Sequence, residues 1–266
     1  MRIRHMGILQ CARETMTRLY RGRGLLYFLY RSSWNRIYPM LCMHAAYWQL
    51  RAAITGEPLV HFIGDSHTTS YNFGRRFVVH HIGQATAHNL WAEKSSSDSR
   101  KIFLKVLSGI NPKRDVVGLV FGEIDCRVHF YYQHKKTGKP VGKLMDATIG
   151  NYGKAMDELH RQGLDFFVVG VPPVGNQGNV YKYPFYGSPK QRAAISMEFR
   201  RKLAAFCKKK GIPFFDPYAF AGDGRGFMAK GYLRDDIHMN EKALPYAQAF
   251  LEKAFPGKFG KGREMG

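Results

Sequence analysis

Residues 59–67 read LVHFIGDSH, and this stretch decides both the fold and the place of any chemistry. Its first five residues are apolar apart from His61, which is typical of a short buried strand. Gly64 follows, and Ser66 comes two residues later, ahead of a segment that we expect to be helical. A serine between a strand and a helix suits a nucleophile, because N–H groups at a helix start can stabilise an oxyanion. A turn with a Ser or Asp helix cap would give the same pattern.

Four further apolar runs predict a five-stranded sheet. They lie at 77–82, 116–121, 166–171 and, interrupted by a proline, 212–215. Helical segments are predicted near 99–108, 146–162, 188–210 and 241–254. Strands alternating with helices predict an α/β fold with a mainly parallel sheet covered on both faces. Ligands of such sheets bind at the carboxyl ends of the strands, so chemistry is expected just after residues 63, 82, 121 and 171.

Asp235 and His238 are suited to activate a serine nucleophile. Asp235 lies three residues before His238, in a loop ahead of the last predicted helix. The base must take the serine proton, and a carboxylate must fix the tautomer of that base and stabilise its imidazolium. An Asp and a His at this spacing can do both within one turn. We therefore predict that Ser66, His238 and Asp235 form a catalytic relay.

Two sequence blocks carry a resemblance to a known family. Gly64-Asp65-Ser66-His67 resembles the first block of the GDSL/SGNH hydrolases, and Asp235-x-x-His238 resembles their last. The resemblance covers roughly residues 59–255 and implies a flavodoxin-like three-layer αβα sandwich with ester-hydrolysing activity. Gly83 resembles the second-block glycine, so the N–H groups of Gly83 and Ser66 would line the oxyanion hole. Asp65 would support the site.

The third block departs from the family pattern Gly-x-Asn-Asp. The third strand ends in Gly122-Glu123-Ile124-Asp125-Cys126-Arg127, so Ile124 stands where the family has an oxyanion-donating asparagine. Losing one such donor typically costs about 2.7–4 kcal/mol of transition-state stabilisation. Arg127 is a candidate replacement, supported by Glu123 and Asp125, but these three residues could equally form a structural ion-pair network. Other candidate donors from neighbouring loops are Asn72, Asn89 and Asn176.

The chain is strongly basic: 41 Lys and Arg residues oppose 20 Asp and Glu residues, giving a formal net charge of +21. This excess favours acidic glycans or anionic lipid surfaces as partners. Nucleic acid is a poorer candidate because no recognised reading motif accompanies the charge. No Cys or His cluster predicts a metal site, and no cofactor is expected. The four scattered cysteines are expected to be free thiols in a cytoplasmic protein, since we find neither a signal peptide nor a membrane-spanning apolar run.

Residues 1–58 differ in composition from the rest. They contain nine arginines, two acidic residues and no lysine, with Tyr and Trp interleaved. This composition suits a helical extension that lies on an anionic membrane surface, and equally a helical extension that packs on the main domain. The predicted organisation is therefore an Arg-rich helical extension (1–58), an SGNH-like hydrolase domain (59–255) and a basic flexible tail (256–266).

These observations predict a serine esterase or O-acyl transferase that works through an acyl-enzyme on Ser66. The excess positive charge favours an acylated glycan or another anionic substrate. The alternative is a non-catalytic carbohydrate-binding or scaffold protein on the same fold. Ile124 argues for the alternative, whereas the complete Ser/Asp/His set argues against it.

Overall fold

Five parallel strands form a single sheet in a computed structural model of the chain. The structure describes the backbone of residues 25–93, 98–175 and 184–260, and the side chains in these ranges from Met40 onward. The strands are β1 (Val60–Gly64), β2 (Phe77–His81), β3 (Val116–Val120), β4 (Asp165–Val169) and β5 (Phe214–Phe215). Their order is β2-β1-β3-β4-β5, and all neighbours pair in parallel. The predicted five-stranded parallel sheet is confirmed.

Eight α-helices surround the sheet within the described residues. They are α1 (Leu25–Thr55), α2 (Ser99–Leu107), α3 (Phe130–Thr137), α4 (Val141–Arg161), α5 (Pro189–Lys209), α6 (Tyr218–Ala221), α7 (Leu244–Ala254) and α8 (Pro256–Phe259). The four helical segments predicted in the domain correspond to α2, α4, α5 and α7. Helix α3 was not predicted because Phe130 is its one buried residue, which leaves no apolar period to recognise.

Alternate residues of the central strands face two separate hydrophobic cores. Ile63, Val117 and Leu119 pack in the core formed with α2, α4 and α5. Phe62 and Val120 pack on the opposite face, in the core that α7 completes. Because strand side chains alternate between the two faces, helices cover both sides. This is the three-layer αβα sandwich that the resemblance implied.

The strand order reverses between β1 and β3, which is the switch point where sheets of this order bind ligands. Gly64 ends β1 there, and a Cβ at this position would lie 2.0 Å from the carbonyl oxygen of Val120. Only glycine permits this approach. The N–H of Asp65 then donates to the same Val120 oxygen at 3.3 Å, so the chain leaves β1 in a fixed direction.

The N-terminal extension is helical where the structure describes it. Helix α1 packs on the domain through Ala52, which is buried with Leu59 and Val78. None of the described helices is both long and apolar enough to span a bilayer. Most arginines of the extension lie outside the described residues or in the part of α1 whose side chains are not described.

Two expectations about the chain need correction. Cys126 and Cys207 are free, as expected, and both are buried, but Cys42 forms a disulfide. The expected flexible tail begins with the helical turn α8, in which Phe259 is buried and lies 4.8 Å from the guanidinium of Arg76. Burial of this aromatic ring orders residues that composition alone assigned to a tail. Residues 261–266 lie outside the described part of the chain.

Candidate active site

Ser66 begins a short 3-10 helix directly after β1, at the carboxyl end of the sheet. Asp65 caps this helix, and its carboxylate accepts the N–H of His67 at 2.8 Å. Asp is favoured at this position because its side chain satisfies an N–H that the helix leaves unpaired. The Ser66 side chain is partly exposed, whereas the next five residues are buried. The serine hydroxyl is therefore the accessible group on an otherwise packed turn.

The structure brings Ser66, His238 and Asp235 together. His238 Nε2 lies 2.8 Å from Ser66 Oγ. On the other side of the ring, His238 Nδ1 lies 2.9 Å and 2.8 Å from the two carboxylate oxygens of Asp235. With a proton on Nδ1 donated to Asp235, Nε2 is left to accept the serine hydroxyl proton. This is the geometry of a nucleophile, a base and an orienting carboxylate.

The electrostatics of this relay keep Asp235 ionised and His238 neutral. Although burial opposes it, the contact with His238 and the N–H groups of Ile237 and His238 hold the pKa of the Asp235 carboxyl below its usual range. Burial lowers the pKa of His238, and the nearby Asp235 only partly offsets this effect. A neutral imidazole beside an ionised carboxylate is the form in which a base can take a proton.

Three side-chain contacts join the helix of Ser66 to the loop of His238. His67 Nε2 lies 3.2 Å from the carbonyl oxygen of Ile237. Ser70 donates to the carbonyl of Met239 at 2.9 Å, and Arg234 donates to the hydroxyl of Thr69 at 2.8 Å. The loop is itself closed at its base by an antiparallel bridge between Leu233 and Met239. These contacts fix the position of the base relative to the nucleophile.

Gly83 lies one strand away from the serine turn. The N–H of Ile82 donates to the carbonyl of Gly64 at 2.9 Å, which places the next residue, Gly83, beside the turn that carries Ser66. Gly83 has a φ of +90°, a backbone conformation that residues other than glycine rarely adopt. The part of the Gly83 N–H in the oxyanion hole stays a prediction.

Asp125 holds the loop that follows Gly83. Its buried carboxylate accepts the N–H groups of Ala87 at 2.7 Å and His88 at 3.3 Å. Burial raises the pKa of Asp125 to about 7, although these two N–H groups oppose the shift. Asp125 therefore acts on the site indirectly, by fixing the backbone after the proposed oxyanion glycine.

Glu123 and Arg127 form an ion pair at the end of β3. Arg127 Nε donates to Glu123 Oε1 at 2.7 Å, and its Nη1 donates to the carbonyl of Pro184 at 2.7 Å. Arg127 lies on the π-helical turn Asp125–His129, and Glu123 precedes this turn, next to the partly buried Ile124. The predicted pairing of Arg127 with an acid is present, and the bond to Pro184 also ties Arg127 to the chain ahead of α5.

The other candidate oxyanion donors are Asn72, Asn89 and Asn176. The side chain of Asn89 is exposed, and Asn72 ends the helix of Ser66, with its N–H donating to the carbonyl of Thr69. Asn176 lies outside the described residues. Of the predicted replacements for the asparagine, Arg127 is the one that the structure places at the end of β3.

A small cavity opens beside the relay at the ends of β3 and β4. Its lining includes Ile237 from the relay loop, the ion pair Glu123–Arg127, and Arg192 from α5. The ring centroid of Phe185 lies 5.6 Å from the guanidinium carbon of Arg127 and 4.4 Å from that of Arg192. Burial and the neighbouring Arg127 lower the pKa of Arg192. Two guanidiniums therefore line this cavity, and that of Arg127 is paired with Glu123.

The site contains residues that sequence reasoning did not single out. Arg192 and the backbone acceptor Ile237 gave no signal, because their roles depend on contacts between distant segments. His67 belongs to the quoted Gly-Asp-Ser-His block, but no partner could be assigned to it from the sequence. Among the residues that the structure describes, no cluster of three or more His, Cys, Asp or Glu side chains could hold a metal ion.

The sandwich and the strand-end serine place the chain in the class of α/β proteins with the GDSL/SGNH hydrolase fold. Comparison of structures supports this assignment. A GDSL-like lipase from Bacteroides thetaiotaomicron is 14% identical, with a TM-score of 0.51, over 80% of this chain and 97% of that one. A candidate acylhydrolase from Bacteroides fragilis is 14% identical, with a TM-score of 0.51, over 77% and 89% of the two chains. A candidate platelet activating factor from Streptococcus pneumonia is 13% identical, with a TM-score of 0.52, over 84% and 98%.

Sequence comparison gives no such likeness. No protein-family profile matches the chain, and no curated protein matches it. At identities of 13–14%, the structural likenesses show the fold alone. The chemistry must therefore be argued from the residues of this chain.

Proposed function

We propose that the protein is a serine ester hydrolase or O-acyl transferase that forms an acyl-enzyme on Ser66. The observation that carries this proposal is the continuous chain of short contacts from Ser66 through His238 to Asp235. The names of the fold neighbours, a GDSL-like lipase and a candidate acylhydrolase, agree with ester chemistry. The alternative, a non-catalytic carbohydrate-binding or scaffold protein, would not require a buried histidine within hydrogen-bonding distance of a partly exposed serine.

In the proposed mechanism, Ser66 Oγ attacks the carbonyl carbon of the ester while its proton moves to His238 Nε2. The tetrahedral intermediate collapses, the bond to the leaving oxygen breaks, and His238 returns the proton to that oxygen. Water or a sugar hydroxyl then attacks the acyl-enzyme and gives its proton to His238. This second tetrahedral intermediate collapses, the bond between Ser66 Oγ and the acyl carbon breaks, and His238 returns the proton to Ser66 Oγ. Asp235 stays ionised throughout and stabilises the imidazolium.

The oxyanion would be held by the N–H groups of Ser66 and Gly83. We further propose that Arg127 supplies the donor that Ile124 cannot. A guanidinium is a permanently charged donor, and Glu123 and the carbonyl of Pro184 orient that of Arg127. The positive charge of Arg127 at the end of β3 would also stabilise a developing negative charge nearby.

We propose that the substrate is anionic, such as an acylated acidic glycan. Two arginines, Arg127 and Arg192, line the cavity beside the relay, and planar guanidiniums bind carboxylate and phosphate groups well. An acetylated acidic oligosaccharide should therefore have a lower KM than a neutral one. Arg192→Gln should reduce this difference, whereas Arg201→Gln, at an exposed ion pair on the same helix, should leave it unchanged.

We also propose a peripheral contact of α1 with an anionic membrane. Met40, Met43, Tyr47, Leu50 and Ile54 recur every three or four residues, so they share one helix face. They are 54–77% exposed, and we call this face the apolar stripe. The nine arginines and two acids of residues 1–58 favour an anionic lipid surface over a second copy of the same basic helix.

The direct test of the proposed activity is hydrolysis of p-nitrophenyl acetate by the full chain. Ser66→Ala and His238→Ala should each abolish it, and the double variant should be little worse because the residues act as one unit. Activity that survives Ser66→Ala would rule out the acyl-enzyme.

A further inference from the structure

His67 is a second histidine packed against the proposed base. Its side chain is only 4% exposed, and its ring centroid lies 4.8 Å from that of His238, with a tilt of 37°. It follows Ser66 directly in the chain, and its ring lies against the carbonyl of Ile237 in the relay loop and Glu123 at the end of β3. The mechanism above assigns it no proton to carry.

Both ring nitrogens of His67 face hydrogen-bond acceptors. Nδ1 lies 3.0 Å from Asp65 Oδ1, and Nε2 lies 3.2 Å from the carbonyl oxygen of Ile237. A neutral imidazole has one N–H and would leave its other nitrogen lone pair against an oxygen. The doubly protonated ring satisfies both contacts. The geometry therefore selects the imidazolium form of His67.

The charges around His67 favour the same form. Glu123 Oε2 lies 3.8 Å from Nδ1 and, within the described residues, is buried without a hydrogen-bond partner. Burial by itself lowers the pKa of His67, but the carboxylates of Glu123 and Asp65 outweigh it, so the pKa is raised although Arg127 opposes them. The result is a buried cation beside the relay.

A cation at this position affects His238 in one direction. Among the described residues, the charged groups that face His238 include Asp235, which favours its protonated form, and His67 and Arg234, which disfavour it. Two imidazolium rings 4.8 Å apart in a buried site repel each other. The charge of His67 therefore makes His238 harder to protonate from solvent.

We propose that His67 is a positioning residue that remains an imidazolium and keeps His238 neutral, and so able to act as a base, in mildly acidic conditions. The same ring holds the carbonyl of Ile237, one residue before His238, and so fixes the backbone that carries the base. This inference rests on the proposed function of His238. It adds to that function a pH range, because it explains how His238 can act as a base in mildly acidic conditions.

The test is the pH dependence of kcat/KM for p-nitrophenyl acetate with the full chain. His67→Gln removes the cation while the buried carboxylates of Asp65 and Glu123 remain. The local charge becomes more negative, so the pKa of His238 should rise. The acid limb should move to higher pH by roughly one unit. The double variant His67→Gln/Glu123→Gln removes one positive and one negative charge, so its acid limb should return toward that of the wild type.

A purely structural role for His67 predicts a different pattern. His67→Gln would then lower the melting temperature and kcat without moving the acid limb, and the double variant would not restore it. That result would overturn the proposal. If the variants do not fold, nitrogen NMR of histidine-labelled wild type at pH 7 decides the matter, because both nitrogens of His67 should be protonated. A neutral His67 would contradict this proposal even if ester hydrolysis were confirmed. The NMR measurement does not depend on catalysis, so it tests His67 even if the protein proves not to hydrolyse esters.

Discussion

The Nε2 atom of His238 lies 2.8 Å from Oγ of Ser66, although 172 residues separate them in the chain. The parallel sheet accounts for this contact. Ser66 leaves the end of β1, and the loop of His238 is bound to the helix of Ser66 through Ser70 and Thr69. A proton can therefore pass directly from the serine to the histidine.

Asp235→Asn should lower kcat by about 10³–10⁴-fold while leaving the fold intact. An amide can still accept the N–H groups of Ile237 and His238, but it cannot stabilise an imidazolium and favours the wrong tautomer. Steady-state kinetics with p-nitrophenyl acetate measures the loss. Asp236→Asn, a neighbouring acid in the same loop, is the matched control and should retain activity. Equal activity of the two variants would exclude Asp235 from the relay.

Arg127→Ala should lower kcat by roughly 30- to 1,000-fold with little change in KM, as expected for an oxyanion contact made in the transition state. Arg127→Lys should restore little, because an ammonium lacks the fork of a guanidinium. Melting temperatures must be measured in parallel, since Arg127 also binds Glu123 and the carbonyl of Pro184. A folded Arg127→Ala variant with unchanged kcat would leave Arg127 with a structural role only.

Asp125→Asn should change how stability depends on pH. The pKa of Asp125 is raised to about 7 in the folded protein, whereas an unfolded Asp titrates near 3.9. Between these values the folded state holds a proton that the unfolded state has lost, so wild-type stability falls as pH rises from about 4 to 7.

Asn cannot ionise, so that contribution to the pH dependence is absent from Asp125→Asn. The variant loses some stability at every pH, since one of the N–H groups of Ala87 and His88 lacks its carboxylate oxygen. The melting temperature of Asp125→Asn minus that of wild type should nevertheless be higher at pH 7.5 than at pH 5. A constant difference across this range would show that Asp125 is ionised throughout.

The apolar stripe should be required for membrane contact. Full-length Met43→Ser/Tyr47→Ser/Leu50→Ser should bind vesicles containing phosphatidylglycerol about tenfold more weakly than wild type, because three inserting side chains are lost. Met197→Ser, which removes an exposed side chain on α5, is the control. Wild-type binding should weaken with salt and be absent on phosphatidylcholine. Equal sedimentation of variant and wild type, or a dimer that the triple variant disrupts, would contradict a lipid partner.

The sequence predicted the sheet because four strands are short apolar runs with clear ends, although Pro213 interrupts the fifth run. It predicted the relay because Asp235 and His238 lie three residues apart. Contacts that involve backbone atoms were not predictable. The bonds of Asp125 to the N–H groups of Ala87 and His88 belong to this class, and so does the contact of His67 with the carbonyl of Ile237. Backbone groups are the same in every residue, so such pairs leave no compositional signal.

The measurement that tests the central claim most directly is labelling of the full chain with a fluorophosphonate, which reacts covalently only with an activated serine. The proposal predicts one label per chain, located at Ser66 by peptide mass spectrometry. It also predicts no label in His238→Ala, because the hydroxyl then has no base 2.8 Å away. Absence of labelling in a folded wild-type protein, or labelling at another serine, would contradict the account.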